Sequence, residues 1–153
     1  MVPAWLHGLR RPLISFSYFD ACPTIRERQR QIWIPLLERL TAQLGTPIQT
    51  TNDLTVLRQD RELCDTISGL LARQGVFHLV GLECLTKAFK SCLLAVGNLL
   101  GFINAEEAIA ASQLEVNLQA EKWGTLADFH EPQLSRLQKD VRLGMLLITL
   151  PPV

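Results

Sequence analysis

Across 153 residues, fifteen Lys and Arg are balanced by fifteen Asp and Glu, and 48% of the side chains are hydrophobic. A chain of this length fits one domain that buries about two-thirds of its unfolded surface, and the apolar fraction excludes wholesale disorder. The lack of a basic excess argues against nucleic acid as a partner.

The stretch 1–19 contains Arg10 and Arg11 and no acid, the outline of a mitochondrial presequence, although Pro3 and Pro12 interrupt an amphipathic helix there. A cleaved presequence and a disordered or truncated terminus are both open readings of residues 1–22. Thr24 and Glu27 have capping-box spacing for a first helix. Ile32, Trp33, Leu36, Leu37, Leu40 and Leu44 then recur at three- and four-residue intervals. Pro35, inside that pattern, predicts a kink or the first turn of a further helix. Gly45 ends the stripe, and TPIQTTND reads as a loop.

A second helix is expected from about Leu54 to Gln74, with Leu54, Leu57, Leu63, Ile67, Leu70 and Leu71 inward and Gly75 as its breaker. The third, Val76 to Leu100, is apolar around most of its circumference and belongs in the centre of a bundle. The fourth, 104–122, has Asn104 as its cap, Glu107 placed to complete a capping box, and Gly124 just past its end. A last helix is expected from about Pro132 to Leu150, stopped by Pro151-Pro152. The predicted class is all-α: a compact bundle of about five helices, mostly antiparallel, over residues 23–153.

Chemistry is sparse. Cys22, Cys64, Cys84 and Cys92 contain no CxxC pair, and His7, His78 and His130 have no ligand spacing, so reduced thiols are expected and neither metal nor cofactor. The longest uncharged run, from Ser91 to Ala105, is shorter than the ~20 residues a bilayer requires, so no transmembrane segment is expected. No glycine-rich phosphate loop, GxSxG elbow or HExxH motif occurs. Asp128, His130 and Glu131, expected in the loop after Trp123-Gly124, are the nearest approach to a catalytic cluster, but no nucleophile accompanies them. The prediction is a protein without catalytic residues.

Residues 105–131 carry six acids against Lys122 alone. Such a segment is either a solvated face or a surface for a basic partner. On the fourth helix Ala108, Ala111, Glu115, Leu118 and Lys122 share one side, and Leu114 and Leu118 form the adjoining apolar stripe. Glu115 is thereby placed at the margin of the buried face, with Gln119 one turn below. It is either a solubilising boundary carboxylate or a charge held at a groove edge for a partner.

The run SQLEVNLQAEKWGTLADFHEPQLSRL resembles the C-terminal signature of the mitochondrial and alphaproteobacterial assembly chaperones for the catalytic head of F-type ATP synthase. Ser112, Leu114, Glu115, Leu118, Gln119, Trp123, Gly124, His130 and Glu131 carry the likeness. Upstream, Gln29, Trp33 and Pro35 before Leu36-Leu37 are similar to the family's first helical hairpin. Gly81-Leu82-Glu83 and Lys90-Ser91 resemble its central helix, and Glu106-Glu107-Ala108 opens the next. The resemblance covers roughly residues 18–150.

It implies a chaperone that binds the unassembled α subunit and prevents its aggregation, in the mitochondrial matrix or, in bacteria, the cytoplasm. It places the key acid at Glu115, with Gln119, Trp123 and His130 as further partner-binding residues, and a monomer is expected. The family's N-terminal, largely β domain has no match in residues 1–17, so a shortened or inactive product is the alternative. A helical structural or regulatory protein is another.

Overall fold

In the computed structural model the described residues are 23–50, 59–124 and 127–151, with side chains described for 26–50, 59–122, 124 and 132–151. Six helices lie among them: α1 Pro23–Leu44, α2 Arg61–Leu71, α3 Val76–Phe89, α4 Cys92–Leu99, α5 Ala105–Trp123 and α6 Ala127–Ile148. There is no strand among the described residues. The fold is the expected all-α bundle, with one helix more than expected.

The extra helix comes from a break at Lys90-Ser91. Lys90 takes a left-handed conformation (φ 54°), and the Ser91 hydroxyl accepts the Leu94 N–H, capping a new helix. The expected Val76–Leu100 rod is therefore two helices, and Cys84 and Cys92 belong to different ones. Serine in that role satisfies a backbone donor that a second helix would otherwise leave orphaned. Every residue from Cys92 to Asn98 is buried, so α4 is the short central post that the apolar run anticipated.

Around α4 the buried side chains Trp33, Leu36 and Leu40 of α1, Leu63 and Ile67 of α2, Leu82 and Leu85 of α3, and Leu114 and Leu118 of α5 form the core. Pro35 lies on the exposed side of a continuous α1. There its missing N–H costs one ladder bond without disturbing the buried stripe. Thr24 lies inside this helix, which begins at Pro23, so it is not the cap expected of it.

The second helix begins at Arg61 and not near Leu54. Gln59 is drawn out of it by its side chain, which accepts the Gln49 N–H at 2.9 Å and donates to the Gln49 carbonyl at 2.8 Å. The inward residues Leu63, Ile67 and Leu71 are buried as expected, whereas Leu54 and Leu57 lie outside the described residues. Gly75 is the N-cap of α3.

The last helix starts five residues before Pro132, which is accommodated inside it. Its fixed φ suits a helix, and the single sacrificed bond is the one to the Asp128 carbonyl. Helix α6 packs along α3 in the antiparallel sense, because His78 near the start of α3 bonds the Leu150 carbonyl at 2.9 Å. The two helices approach closely at Gly81 and Gly144. A Cβ on Gly81 would stand 2.9 Å from the Gly144 carbonyl oxygen, and one on Gly144 would stand 2.6 Å from Leu85 Cγ.

Candidate functional site

Helix α5 is built from its ends inward. The Asn104 side chain accepts the Glu107 N–H at 2.8 Å, and the Glu107 carboxylate accepts the Asn104 N–H at 2.9 Å, completing the expected capping box. At the other end Gly124, with φ 85°, closes the helix by donating its N–H to the Ala120 carbonyl. Between them Ala108, Ala111, Leu114 and Leu118 are buried.

Helix α1 lies antiparallel along this face, and four contacts mark the seam. Arg39 reaches Glu107 with both terminal nitrogens, at 2.8 and 3.3 Å. The buried Trp33 indole donates to the Ala111 carbonyl at 3.0 Å. Gln29 Nε2 donates to Glu115 Oε1 at 3.4 Å. Arg28 pairs with Glu121 at 2.8 Å on the surface. Such exposed ion pairs contribute little, about 0–1 kcal/mol each. The indole bond and the apolar stripe hold the seam.

Two of the seam carboxylates differ in kind. The Arg39 guanidinium, and then the Asn104 N–H, hold the Glu107 carboxyl below the usual carboxylate range. Glu115 goes the other way: burial pushes its carboxyl up, and the hydrogen bond from Gln29 only partly offsets this. No cation enters that balance. Gln29 is itself only 3% exposed, so its amide is a fixed part of the seam and Glu115 sits at the rim. A half-buried carboxylate held by one long hydrogen bond has lost water without gaining a charge partner. It is poised to accept a cation or N–H donors from a partner that covers the rim.

The expected site residues are only partly brought together. Glu115, Gln119 and Trp123 follow one another at four-residue spacing on α5, and Gln119 is exposed. The Trp123 and His130 side chains lie outside those described. His130 is not in a loop, as expected, but in the helical backbone near the start of α6. Asp128, His130 and Glu131 thus lie on the helical backbone of α6 and not in the expected loop. Among the described residues no group of His, Cys, Asp or Glu could hold a metal ion, and no helix is long and apolar enough to cross a membrane. Cys64, Cys84 and Cys92 are free, and burial pushes the Cys92 thiol up to about 11.

The partner of Glu115 was not readable as such. Gln29 stood in the sequence four residues before Trp33, hence on the same face, but nothing local pairs α1 with α5. An open apolar groove of about 470 Å³ on the flank of α1, lined by Ile34, Leu37 and Ile48, adds no further ionisable group except Glu38.

The architecture recurs in solved structures of longer proteins. A single-substitution variant of Atp12p from Paracoccus denitrificans superposes with a TM-score of 0.83 over 94% of this chain and 60% of that one, at 24% identity. Another structure of Atp12 from the same bacterium gives 0.77 over 92% and 57%, at 23% identity. The Atu1473 protein of Agrobacterium tumefaciens gives 0.80 over 94% and 53%. In sequence the chain is 30% identical over 108 residues to the mitochondrial protein atp12 of Schizosaccharomyces pombe. That match takes in 69% of this chain and 37% of the relative, so the chain spans little more than a third of the curated protein it matches. No family model matches the chain. The fold and the sequence agree: the chain is a homologue of Atp12. The kinship suggested by the Trp123-Gly124 signature is borne out.

Proposed function

We propose that the chain is the helical, client-binding part of a chaperone for assembly of the catalytic head of F-type ATP synthase. In this reading it binds the unassembled α subunit, prevents its aggregation in the mitochondrial matrix or bacterial cytoplasm, and is not an enzyme. The observation that carries the reading is the homology to Atp12 in sequence and fold together. An α subunit without its β neighbour exposes apolar surface that it would bury on assembly, and such surface aggregates. Glu115, Gln119, Trp123 and His130 are the residues proposed to meet the client. Glu115 leads them, because burial has partly dehydrated its carboxylate while leaving it reachable.

The test is retention of recombinant ATP synthase α and β subunits on the immobilised chain. Selective retention of α is expected, reduced at least roughly tenfold by Glu115→Lys, a change typical of a central interface residue. A folded, helical sample that retains neither subunit at micromolar concentration refutes the reading.

A further inference from the structure

Helices α1 and α5 are registered by the Trp33 indole, whose N–H reaches the Ala111 carbonyl at 3.0 Å. Gln29 lies one turn before Trp33, and Glu115 lies one turn after Ala111. Because the helices are antiparallel, these two positions face each other, and Gln29 Nε2 donates to Glu115 Oε1 at 3.4 Å. Among the described residues of α1, Gln29 is the polar member of a buried stripe otherwise made of Trp33, Leu36, Leu40 and Leu44. An amide in such a stripe is costly to bury unless it is hydrogen-bonded, and a single long bond contributes little. A leucine or methionine would serve the core better, so the amide matters for what it holds, the Glu115 carboxylate.

Gln29 is also neutral. It engages one carboxylate oxygen and leaves the charge uncompensated. The helices packed against α5 are α1, α3 and α4, and none of them brings a cation to Glu115. On α1, Arg28 is paired with Glu121 and Arg39 with Glu107. On α3, Lys87 is paired with Glu83, and α4 has no charged residue. Arg26 and Arg30 of α1 and Lys122 of α5 do not act on the Glu115 carboxyl either; burial and the Gln29 bond do.

We propose that Gln29 is a positioning residue for client binding: its buried amide holds the Glu115 carboxylate in place, with its charge uncompensated, for a cationic side chain of the client. The inference rests on the client-binding reading of Glu115 and adds the residue on the opposite helix that orients it. A neutral donor suits that task, because an arginine or lysine at position 29 would already satisfy the charge that the client is to meet. A side chain held beforehand also spares the ordering that binding would otherwise require.

The experiment measures the affinity of the full chain for recombinant ATP synthase α subunit, from about pH 8 to pH 4, with wild type, Gln29→Met, Glu115→Gln and the double variant. Methionine removes the donor at similar volume, and helicity is checked by circular dichroism. Gln29→Met is expected to bind roughly three- to tenfold more weakly at pH 7, and to have no further effect in the Glu115→Gln background. Loss of the amide pushes the Glu115 carboxyl further up, so binding should weaken at a higher pH on acidification in Gln29→Met than in wild type. That step should be missing from Glu115→Gln. A second measurement needs no change at position 29. In an NMR titration of the free wild-type chain, the Gln29 side-chain amide signals should move with the Glu115 carboxyl, and they should stay still in Glu115→Gln. Equal losses from Gln29→Met in both backgrounds, an unmoved pH profile, or amide signals that ignore the carboxyl each overturn the positioning role while the client reading stands. Wild-type binding that Glu115→Gln keeps within about twofold overturns the inference together with the role of Glu115. No wild-type binding overturns the inference and the client reading alike.

Discussion

Glu115 carries the account at the residue scale because its environment is unfavourable to its own charge. Its folded carboxyl titrates above the unfolded one, so the native state binds the extra proton between those two values. Stability therefore falls as pH rises out of the usual carboxylate range and is lowest, on this group's account, above the folded value. Glu115→Gln removes the penalty and keeps the shape. Thermal unfolding should find the variant at least as stable as wild type at pH 7, with the gap closing below about pH 4, where both forms of the chain are neutral there. A variant clearly less stable at pH 7 would mean that the ionised carboxylate is itself a native-state stabiliser. The location of Glu115 at the rim was legible from its spacing with Ala108, Ala111 and Leu118. Its energetic state was not, because that depends first on burial set by tertiary packing and then on Gln29, eighty-six residues away in the chain.

The elements show where local patterns suffice and where packing overrides them. The capping box of α5 was readable because all its atoms lie within four residues. Asn104→Ala should cost about 1 kcal/mol in denaturant unfolding. Acid should weaken wild type and this variant alike, since the Glu107 carboxylate bonds Arg39 and the backbone N–H at 104, both kept in the variant, and its contribution is lost as pH falls through its lowered folded value. The break at Lys90-Ser91 was hidden because an apolar run looks the same whether it forms one buried helix or two; Ser91 was the available signal. The start of α6 was missed by giving Pro132 the strength of a boundary it does not have. Glycines separate the two kinds of information most sharply. Gly81→Ala would drive a methyl against the Gly144 carbonyl, which is backbone and cannot swing aside, and should cost about 1–3 kcal/mol. Gly69→Ala meets nothing within 4 Å on α2 and should stabilise by about 0.5–1 kcal/mol. Equal effects of the two changes would contradict the close crossing of α3 and α6.

At the scale of the whole molecule, helix content and the antiparallel bundle followed from periodicity, caps and short connections. The pairing of α1 with α5 and of α3 with α6 did not, since it depends on which stripes meet around α4. That pairing leaves a seam with a half-buried carboxylate at its rim and the exposed apolar side chains on α3 and α6. Both fit a protein that works by covering another protein. The most direct measurement is light scattering from isolated ATP synthase α subunit on dilution from denaturant, with and without an equimolar amount of the chain. Suppressed scattering for α, absent for β and weakened by Glu115→Lys, is the result the account predicts. Unchanged aggregation of α beside a folded, helical chain would contradict it.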